Sequence, residues 1–398
     1  MDLPQLIALQ TELGQAALAM ATSRSPRIET FLVDLQALQK IYPLSLAKAA
    51  LETALLRQKA TSKFSRADRM YFTKDALEQA AHERISRYRA RRFAGQTAIA
   101  DLGCGIGGDS LALAAVGPLL AVEHDPLRLA MATINLASYA VQADCRCEEL
   151  NTLDLPAHTA IWLDPARRQS QGRVHHLAAY QPPPSVWQYW QRRAPASGIK
   201  LSPAVEIASL PDFQGELEFI SLAGELKEAV WWQGAAAGAA ARRATLLTPN
   251  AIYTRTTPTS SLPTIACQKP GAILYEPDPA ILRAGLVELL AVELAAQKLS
   301  VDIAYLTADH LQPHPFVRAF TVLADFPFAL KRTRAELHAR QVGRITVKKR
   351  GSPLDVAAFT QAMRLQGDPA CELLVFLTQV LGQPWVILAK SALPDDGY

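Results

Sequence analysis

The spacing of hydrophobic and polar positions changes twice along the chain. Over residues 1–93 apolar positions recur every three or four residues, as in TFLVDLQALQKIYP and SLAKAALETALLRQKA, with much Ala and Leu and little β-branching. That period predicts amphipathic helices and no strands. Thr73 stands as an N-cap ahead of TKDALEQAAHERISRYRARRF, where acids come early and arginines late, so one helix is expected there. From Gly95 short apolar runs alternate with helical stretches. QTAIADLG leads into DSLALAAVG, and LLAVEHD into PLRLAMATINLASYA. ADCRCEEL is a weaker third strand, and AHTAIWLDPARR and ASGIKLSPAVE supply a fourth and a fifth. ELEFISLAGELKEAVWWQG has the pattern of a closing antiparallel pair. These units predict an α/β fold with a parallel, doubly wound, Rossmann-like sheet and an antiparallel edge.

Past Leu247, TPNAIYTRTTPTSSLP has the composition of a loop or of inserted strands. GAILYEPDPAILRAGLVELLAVELAAQKL then starts a fresh unit with a long helix, and from Pro315 strands and helices alternate as in a small, separate α/β domain. The expected divisions are a helical region at 1–93, the sheet domain at 94–247, a linker and small ferredoxin-like unit at 248–314, and a last domain at 315–398. A chain of 398 residues is long enough for two or three domains.

Composition narrows the class. The chain is 49% hydrophobic and 20% charged, ordinary for a soluble globular protein. The opening MDLPQLIALQTELGQ lacks the basic stretch of a signal peptide. The longest apolar runs are broken by Glu288, Glu293 and Lys298 or by Arg242 and Arg243, so no membrane span is expected. The five cysteines, with Cys145 and Cys147 one residue short of a C-x-x-C, fit reduced thiols of a cytoplasmic protein. His175-His176 falls in a polar loop with no Cys or acid at ligand spacing, so no metal is expected. Net charge is only +4, but residues 61–93 hold nine Lys/Arg against four Asp/Glu, and residues 331–350 eight against one. Two basic segments on a mildly acidic body point to a polyanionic partner, or else to solvated helix faces.

The chemistry centres on DLGCGIGGDSLALAA, Asp101 to Ala115. Gly103, Gly105 and Gly108 satisfy the dinucleotide fingerprint G-x-G-x-x-G. Asp101, Gly103, Gly105 and Gly107 equally satisfy the loop that holds S-adenosylmethionine (SAM). Glu123, closing the second strand with His124 beside it, suits the ribose hydroxyls of either cofactor. Asp101 separates the two, because an acid at the strand tip favours a ligand carrying an ammonium and a sulfonium. Asp109, directly before the helix, is the expected N-cap. Asp164-Pro165-Ala166-Arg167 closes the fourth strand, at the crevice where ligands of open sheets bind, and Pro165 fixes the backbone there. A dehydrogenase needs no such turn, so SAM is preferred over NAD(P).

With these residues in hand the chain resembles class I SAM-dependent methyltransferases, and within them the bacterial family with a C-terminal THUMP-like domain. The matching stretches are SKFSRADRMYFTKDALEQA, DLGCGIGGD, VEHDP, LDPARR, IKLSP, ISLAGELKEAVWW, LYEPDPAILRAG and VKKRG, from about residue 61 to the end. The resemblance implies a SAM site and, at residues 315–398, a tail related to RNA-binding modules. It puts cofactor contacts on Asp101, Gly103, Gly105 and Glu123, with an acid after the third strand for the adenine amino group. Glu149 is preferred over Glu148 for that acid. Cys104 and Gly107 complete the loop, Cys104 as a packing residue and not as a nucleophile.

The acceptor atom is narrowed by elimination. Covalent C5 methylation of a pyrimidine needs a cysteine nucleophile, and none occurs between Cys147 and Cys267. Methylation of a base amino group uses Asn/Asp-Pro-Pro-aromatic. Here Asp164 and Pro165 are kept, but Arg167, a planar cation able to stack or to hold phosphate, replaces the aromatic. Ribose 2′-O methylation would use Asp164, Lys200 and Glu228 with Lys63 or Lys74, although Lys200 equally serves to neutralise Asp164. The expected function is base-nitrogen methylation of RNA, tRNA or rRNA, with Asp164, Pro165, Arg167 and Lys200 at the catalytic end. Residues 61–93 and 331–350 would grip phosphates. The alternatives are ribose methylation and a non-catalytic RNA-binding protein that uses the fold as a scaffold. Trp162, Trp187, Trp190, Trp231 and Trp232 are expected in the core.

Overall fold

The computed structural model describes residues 1–167, 177, 180–210, 213–257 and 261–393, apart from the side chains of Arg167 and Ile207. His175-His176 and the second arginine of LDPARR lie outside the described residues. The chain forms two compact units, residues 1–216 with 229–239, and residues 217–228 with 240–398.

The first unit begins with six helices, α1 (Leu3–Leu9), α2 (Glu12–Ser23), α3 (Phe31–Gln39), α4 (Leu44–Ala60), α5 (Lys74–Gln79) and α6 (Glu83–Ala90). Asp2 and Gln5 make a reciprocal capping box on α1, and Thr11 caps α2. Thr73 caps α5 as expected, accepting the Ala76 amide at 3.2 Å. The single helix expected after Thr73 is, however, two. Lys63 Nζ donates to the carbonyls of Leu77 (2.8 Å), Glu78 (3.1 Å) and Ala80 (2.8 Å), satisfying the end of α5. His82 Nδ1 then accepts the Arg84 amide at 3.1 Å and starts α6.

The sheet of this unit follows, with β1 (Ile99–Leu102), α7 (Ser110–Leu113), β2 (Leu119–Glu123), α8 (Pro126–Ser138), β3 (Asp144–Cys147) and β4 (Ala160–Leu163). Next come a short hairpin of β5 (Ala166–Arg167) and β6 (Tyr180–Gln181), then α9 (Pro184–Gln191) and β7 (Ala196–Leu201). The parallel order is β3-β2-β1-β4-β7, reversing direction between β1 and β4. That reversal opens a crevice at the carboxyl ends of those two strands. The strand β9 (Glu225–Gly234), which follows β8 (Glu216–Leu222), runs antiparallel to β7 over Ala229–Gly234. One hydrophobic core joins the helices to the sheet: Leu18, Leu51, Phe64 and Phe72 pack in the same cluster as Ile106, Leu111, Met131 and Leu136.

In the second unit β8 runs parallel to β10 (Arg242–Leu247), which pairs antiparallel with β11 (Ile252–Thr256), so the Thr/Pro-rich segment contributes a strand. The rest comprises β12 (Ile273–Pro277), α10 (Pro279–Ala284), α11 (Val287–Glu293), β13 (Gln297–Ser300) and β14 (Ile303–Ala308). It continues through β15 (Val317–Pro327), α12 (Leu330–Ala339), β16 (Val342–Lys349), α13 (Val356–Met363), β17 (Asp368–Val380) and β18 (Gln383–Ser391). The long helix expected after β12 is broken at Gly285, whose φ of +66° places it in the left-handed region and caps α10. The division expected at residue 314 crosses a continuous ladder, because β12 pairs with both β14 and β15 in a seven-stranded sheet ordered β13-β14-β12-β15-β18-β17-β16.

The five tryptophans of the first unit are buried, none more than 4% exposed. Trp162 on β4 and Trp232 on β9 stack obliquely at 5.8 Å, with Phe93 closing the group at 6.5 and 5.9 Å. Gly198 on β7 makes room for them. A Cβ there would sit 2.5 Å from the Trp232 ring and 2.8 Å from the Trp162 ring. Gly198→Ala is therefore expected to lower unfolding free energy by about 1–3 kcal/mol. Urea denaturation followed by tryptophan fluorescence measures this, and an unchanged midpoint would refute the close packing.

Candidate active site

The glycine loop joins β1 to α7. Gly103, Gly105 and Gly107 have φ of +82°, +57° and +82°, a region that side-chain-bearing residues rarely adopt. A Cβ on Gly103 or Gly105 would meet nothing within 4 Å, so at both positions the loop faces open space. Gly107 instead lies against α8, where a Cβ would approach that of Ala132 to 3.2 Å. Gly108 keeps negative φ and packs on Phe64 and Ala80. Positive φ thus falls on Gly103, Gly105 and Gly107 and not on Gly108. The loop is fixed from three directions. The amides of Gly103 and Cys104 donate to the Val122 carbonyl at 2.8 and 2.9 Å. The Gly105 amide donates to Glu123 Oε2 at 2.9 Å. Asn135 Nδ2 holds the Ile106 carbonyl at 2.9 Å while its Oδ1 accepts the Tyr71 amide at 2.7 Å, clipping the helical region to the loop.

Strand register brings the other predicted residues alongside. Leu102 is opposite Val122 of β2 and Leu163 of β4, so Gly103, Glu123 and Asp164 each follow at the same level of three adjacent strands. The Glu123 carboxylate is 3% exposed and also accepts the amides of His124 (3.0 Å) and Asp125 (3.1 Å), with His124 Nδ1 2.9 Å away. Lys200 on β7 reaches Asp164 Oδ2 at 2.6 Å. Tyr180 of the small hairpin accepts the Ser202 amide at 2.7 Å, tying β6 to the end of β7. Pro165 is buried at the turn, and Arg167 pairs its backbone with Tyr180. Glu148 and Glu149 are both exposed in the turn after β3. Burial, first, holds the Cys104 thiol well above its usual range, with Asp101 and Glu123 adding to the effect, so it is no nucleophile.

Asp101 is 1% exposed and accepts Ser110 Oγ at 2.5 Å. Burial, and then the neighbouring Asp109 carboxylate, push its carboxyl up to about 8; Asp164 adds to this while Ser110 and Arg89 oppose it. Asp109 stands at the N-cap position of α7 but makes no capping bond. Its oxygens are taken instead by Ser86 Oγ (2.5 Å), by Arg89 and by Trp162 Nε1 (3.0 Å). Burial raises the Asp109 carboxyl, but Arg89, Lys200 and these two hydrogen bonds outweigh it and hold the carboxyl below its usual range. Arg89 is 2% exposed and lies 4.4 Å over the Trp162 ring. Arg89, Ser86, Ser110 and Asn135 are the site-supporting residues that motif spacing did not reveal. Arg89 was instead counted within a basic segment.

That segment is not a free cationic strip. Of its nine Lys/Arg, Lys63 caps α5, Arg66 holds the Ser138 carbonyl at 2.7 Å, Arg87 pairs with Glu83, Arg89 with Asp109, and Arg92 with Glu216 at 3.1 Å. These cations brace the fold, and Lys63 is thereby removed from any ribose-methylating set. In residues 331–350, Arg334 is bound to the Ala362 carbonyl (2.9 Å from Nε), Arg340 to Glu336, Arg344 to Glu372 and Lys348 to Glu276. Lys331, Arg332 and Lys349 remain on the exposed side. Two clefts of about 290 and 840 Å³ border the amino ends of β4 and β7, the opposite end of the strands from the glycine loop. Among the described residues no cluster of three metal-binding side chains occurs, and no helix is long and apolar enough to cross a membrane.

Asp109→Ala would leave the buried Arg89 guanidinium without its carboxylate, an expected loss of about 3–5 kcal/mol in unfolding free energy. Chemical denaturation tests this, and a loss below about 1 kcal/mol would show that other groups carry Arg89.

A family described as THUMP domain-like matches residues 317–391, and a domain of unknown function matches residues 2–60. Uncharacterized S-adenosylmethionine-dependent methyltransferases from two strains of Mycobacterium tuberculosis, CDC 1551/Oshkosh and H37Rv, are each 34% identical over 334 residues. The alignments cover 80% of this chain and 89% of theirs. A crystal structure from Porphyromonas gingivalis W83, assigned to the methyltransferases, shares the fold with a TM-score of 0.75 at 19% identity, covering 95% of this chain and 98% of that one. Relatives of this extent and the match at the C-terminus make the chain a member of the class I SAM-dependent methyltransferases, in the family that carries a THUMP-like domain at its C-terminus.

Proposed function

We propose that this methyltransferase acts on a base nitrogen of a structured RNA in the cytoplasm. The observation that carries the reading is the placement of Asp164-Pro165 at the crevice, level with Gly103. The open faces of Gly103 and Gly105 and the carboxyls of Asp101 and Glu123 fit the cofactor's backbone-hugging and cationic parts. Asp101, Gly103, Cys104, Gly105, Gly107, Glu123, His124 and Glu149 would line it. Bound there, SAM supplies a methyl group made electrophilic by its sulfonium. Lys200 holds Asp164 Oδ2, which orients the carboxylate and leaves Oδ1 to accept a hydrogen from a base amino group. That acceptance raises electron density on the attacking nitrogen and takes up its proton. Pro165 keeps the preceding carbonyls turned toward the same edge. The THUMP-like tail and the exposed Lys331, Arg332 and Lys349 support RNA as the acceptor, through contacts that give affinity and not sequence choice.

The Lys200–Asp164 contact also favours a second reading, ribose 2′-O methylation, in which the lysine orients and deprotonates the hydroxyl. The two readings part at Lys200. Radiolabelled SAM is incubated with RNA from a strain lacking this gene and with RNA from its parent. Label is expected only in the deletion RNA, and nuclease digestion identifies the nucleotide. Asp164→Ala is expected to lose about 10²–10⁴-fold in rate, and full activity would end both readings. For base-nitrogen transfer Lys200→Met should cost less than about tenfold, whereas a loss as large as that of Asp164→Ala would establish the ribose reading.

A further inference from the structure

Three carboxylates and two cations sit together beneath the glycine loop. Arg89 is paired with Asp109, and Lys200 with Asp164 at 2.6 Å. Asp101, on the strand between them, has no ion-pair partner among the described residues; its hydrogen-bond donor is the neutral Ser110. Arg89 acts on it only from beyond ion-pair distance, and more weakly than burial and the Asp109 carboxylate. α7 presents Ser110, α6 presents Ser86 and Arg89 to Asp109, and β2 presents Glu123, whose oxygens face amides. The loop adds only the neutral Cys104 thiol. A buried acid without a counter-ion stays neutral. SAM carries an ammonium, a sulfonium and a carboxylate, one net positive charge, which is the charge this cluster lacks.

We infer that Asp101 makes cofactor capture proton-linked, with Ser110 and Asp109 as its positioning residues: the carboxyl gives up its proton to solvent as the cationic cofactor arrives. The inference rests on the assignment of Asp101 to the cofactor site. It has a second half. S-adenosylhomocysteine (SAH), left after methyl transfer, has lost the sulfonium charge, so Asp101 regains a proton and the product is held less tightly than the substrate. The proton thus turns the loss of one charge into a preference for SAM over SAH. The sign follows from linkage. As pH rises toward the Asp101 value of about 8, the ionised fraction of the free protein grows and SAM binds more tightly.

Calorimetric titration of the full chain with SAM and with SAH, at pH 6, 7 and 8 in two buffers of different ionisation enthalpy, reads the protons directly. The wild-type protein should release close to one proton per SAM at pH 7. Its SAM affinity should rise by up to about tenfold per pH unit, and the SAM-to-SAH affinity ratio should climb with pH. Asp101→Asn should bind SAM with no proton release beyond the ligand's own amine titration. Ser110→Ala removes a bond to the ionised form and should move the midpoint up. Asp109→Asn removes a like charge and should move it down. Opposite displacements distinguish electrostatic positioning from simple loosening of the loop, and Ser110→Ala suffices if Asp109→Asn does not fold. Equal proton release and equal pH profiles in the wild type and Asp101→Asn would overturn the inference while leaving the cofactor site intact. SAM binding absent from the wild type at every pH would overturn the site itself.

Discussion

The Asp109 carboxylate is where three parts of the first unit meet. It sits directly after the glycine loop, receives Ser86 and Arg89 from α6, and receives the Trp162 indole from β4. A charge taken out of water is costly unless its partners are good and its lone pairs are filled. Here the acid has four donors or cations around it, and Arg89 has an aromatic face to lie on. The pair is weak grounds for great stability, since an apolar replacement could pack as well. What it does provide is a single geometry. It ties the helix before the sheet, the glycine loop and the strand that ends at Asp164 to one carboxylate.

That geometry bears on catalysis. Groups aimed in advance at the charges of a reaction cost no reorganisation when the reaction occurs. In this site Glu123 is fixed by three amides, Asp164 by Lys200 and Asp109 by its knot of donors. Asp101 is the exception, an acid held in place by Ser110 but lacking a counter-ion among the described residues. The backbone around it is equally prepared, since the open glycines leave the main chain bare where the cofactor's own atoms would lie.

Much of this could be read from residue order. The glycine spacing, Glu123 and Asp164 all follow strands, and a strand tip in a parallel sheet is a position that sequence locates directly. The tryptophans also fell where apolar surroundings put them. What escaped depends on contacts across the fold. Asp109 precedes a helix and so has the sequence of a cap, but buried donors from α6 outcompete the helix amides for its oxygens. Of the arginines of residues 61–93, Arg89 is buried against Asp109 and Arg92 is held by Glu216, while Arg66, Arg69, Arg87 and Arg91 stay exposed. Nothing in the order of residues says which acid each will meet. The break at Gly285 was available in the sequence as a helix-ending glycine, yet the apolar period on both sides masked it. The pairing of β12 with β15 runs across residue 314, and strand pairing over forty residues leaves no local mark in the sequence.

The shared core of the first unit has a consequence for how the chain is made. Helices α1 to α6 leave the ribosome before the sheet that follows them, and short helices close quickly by local contacts. Their apolar faces, however, are completed by Ile106, Leu111, Met131 and Leu136, and Asn135 supplies the clip on Tyr71. Until α8 has emerged, the helical segment lacks the part of its core that Ile106, Leu111, Met131 and Leu136 supply. The amino-terminal region is therefore no preassembled cap that later docks on a finished sheet. It shares one core with the sheet, and that core is complete only once both have been synthesised.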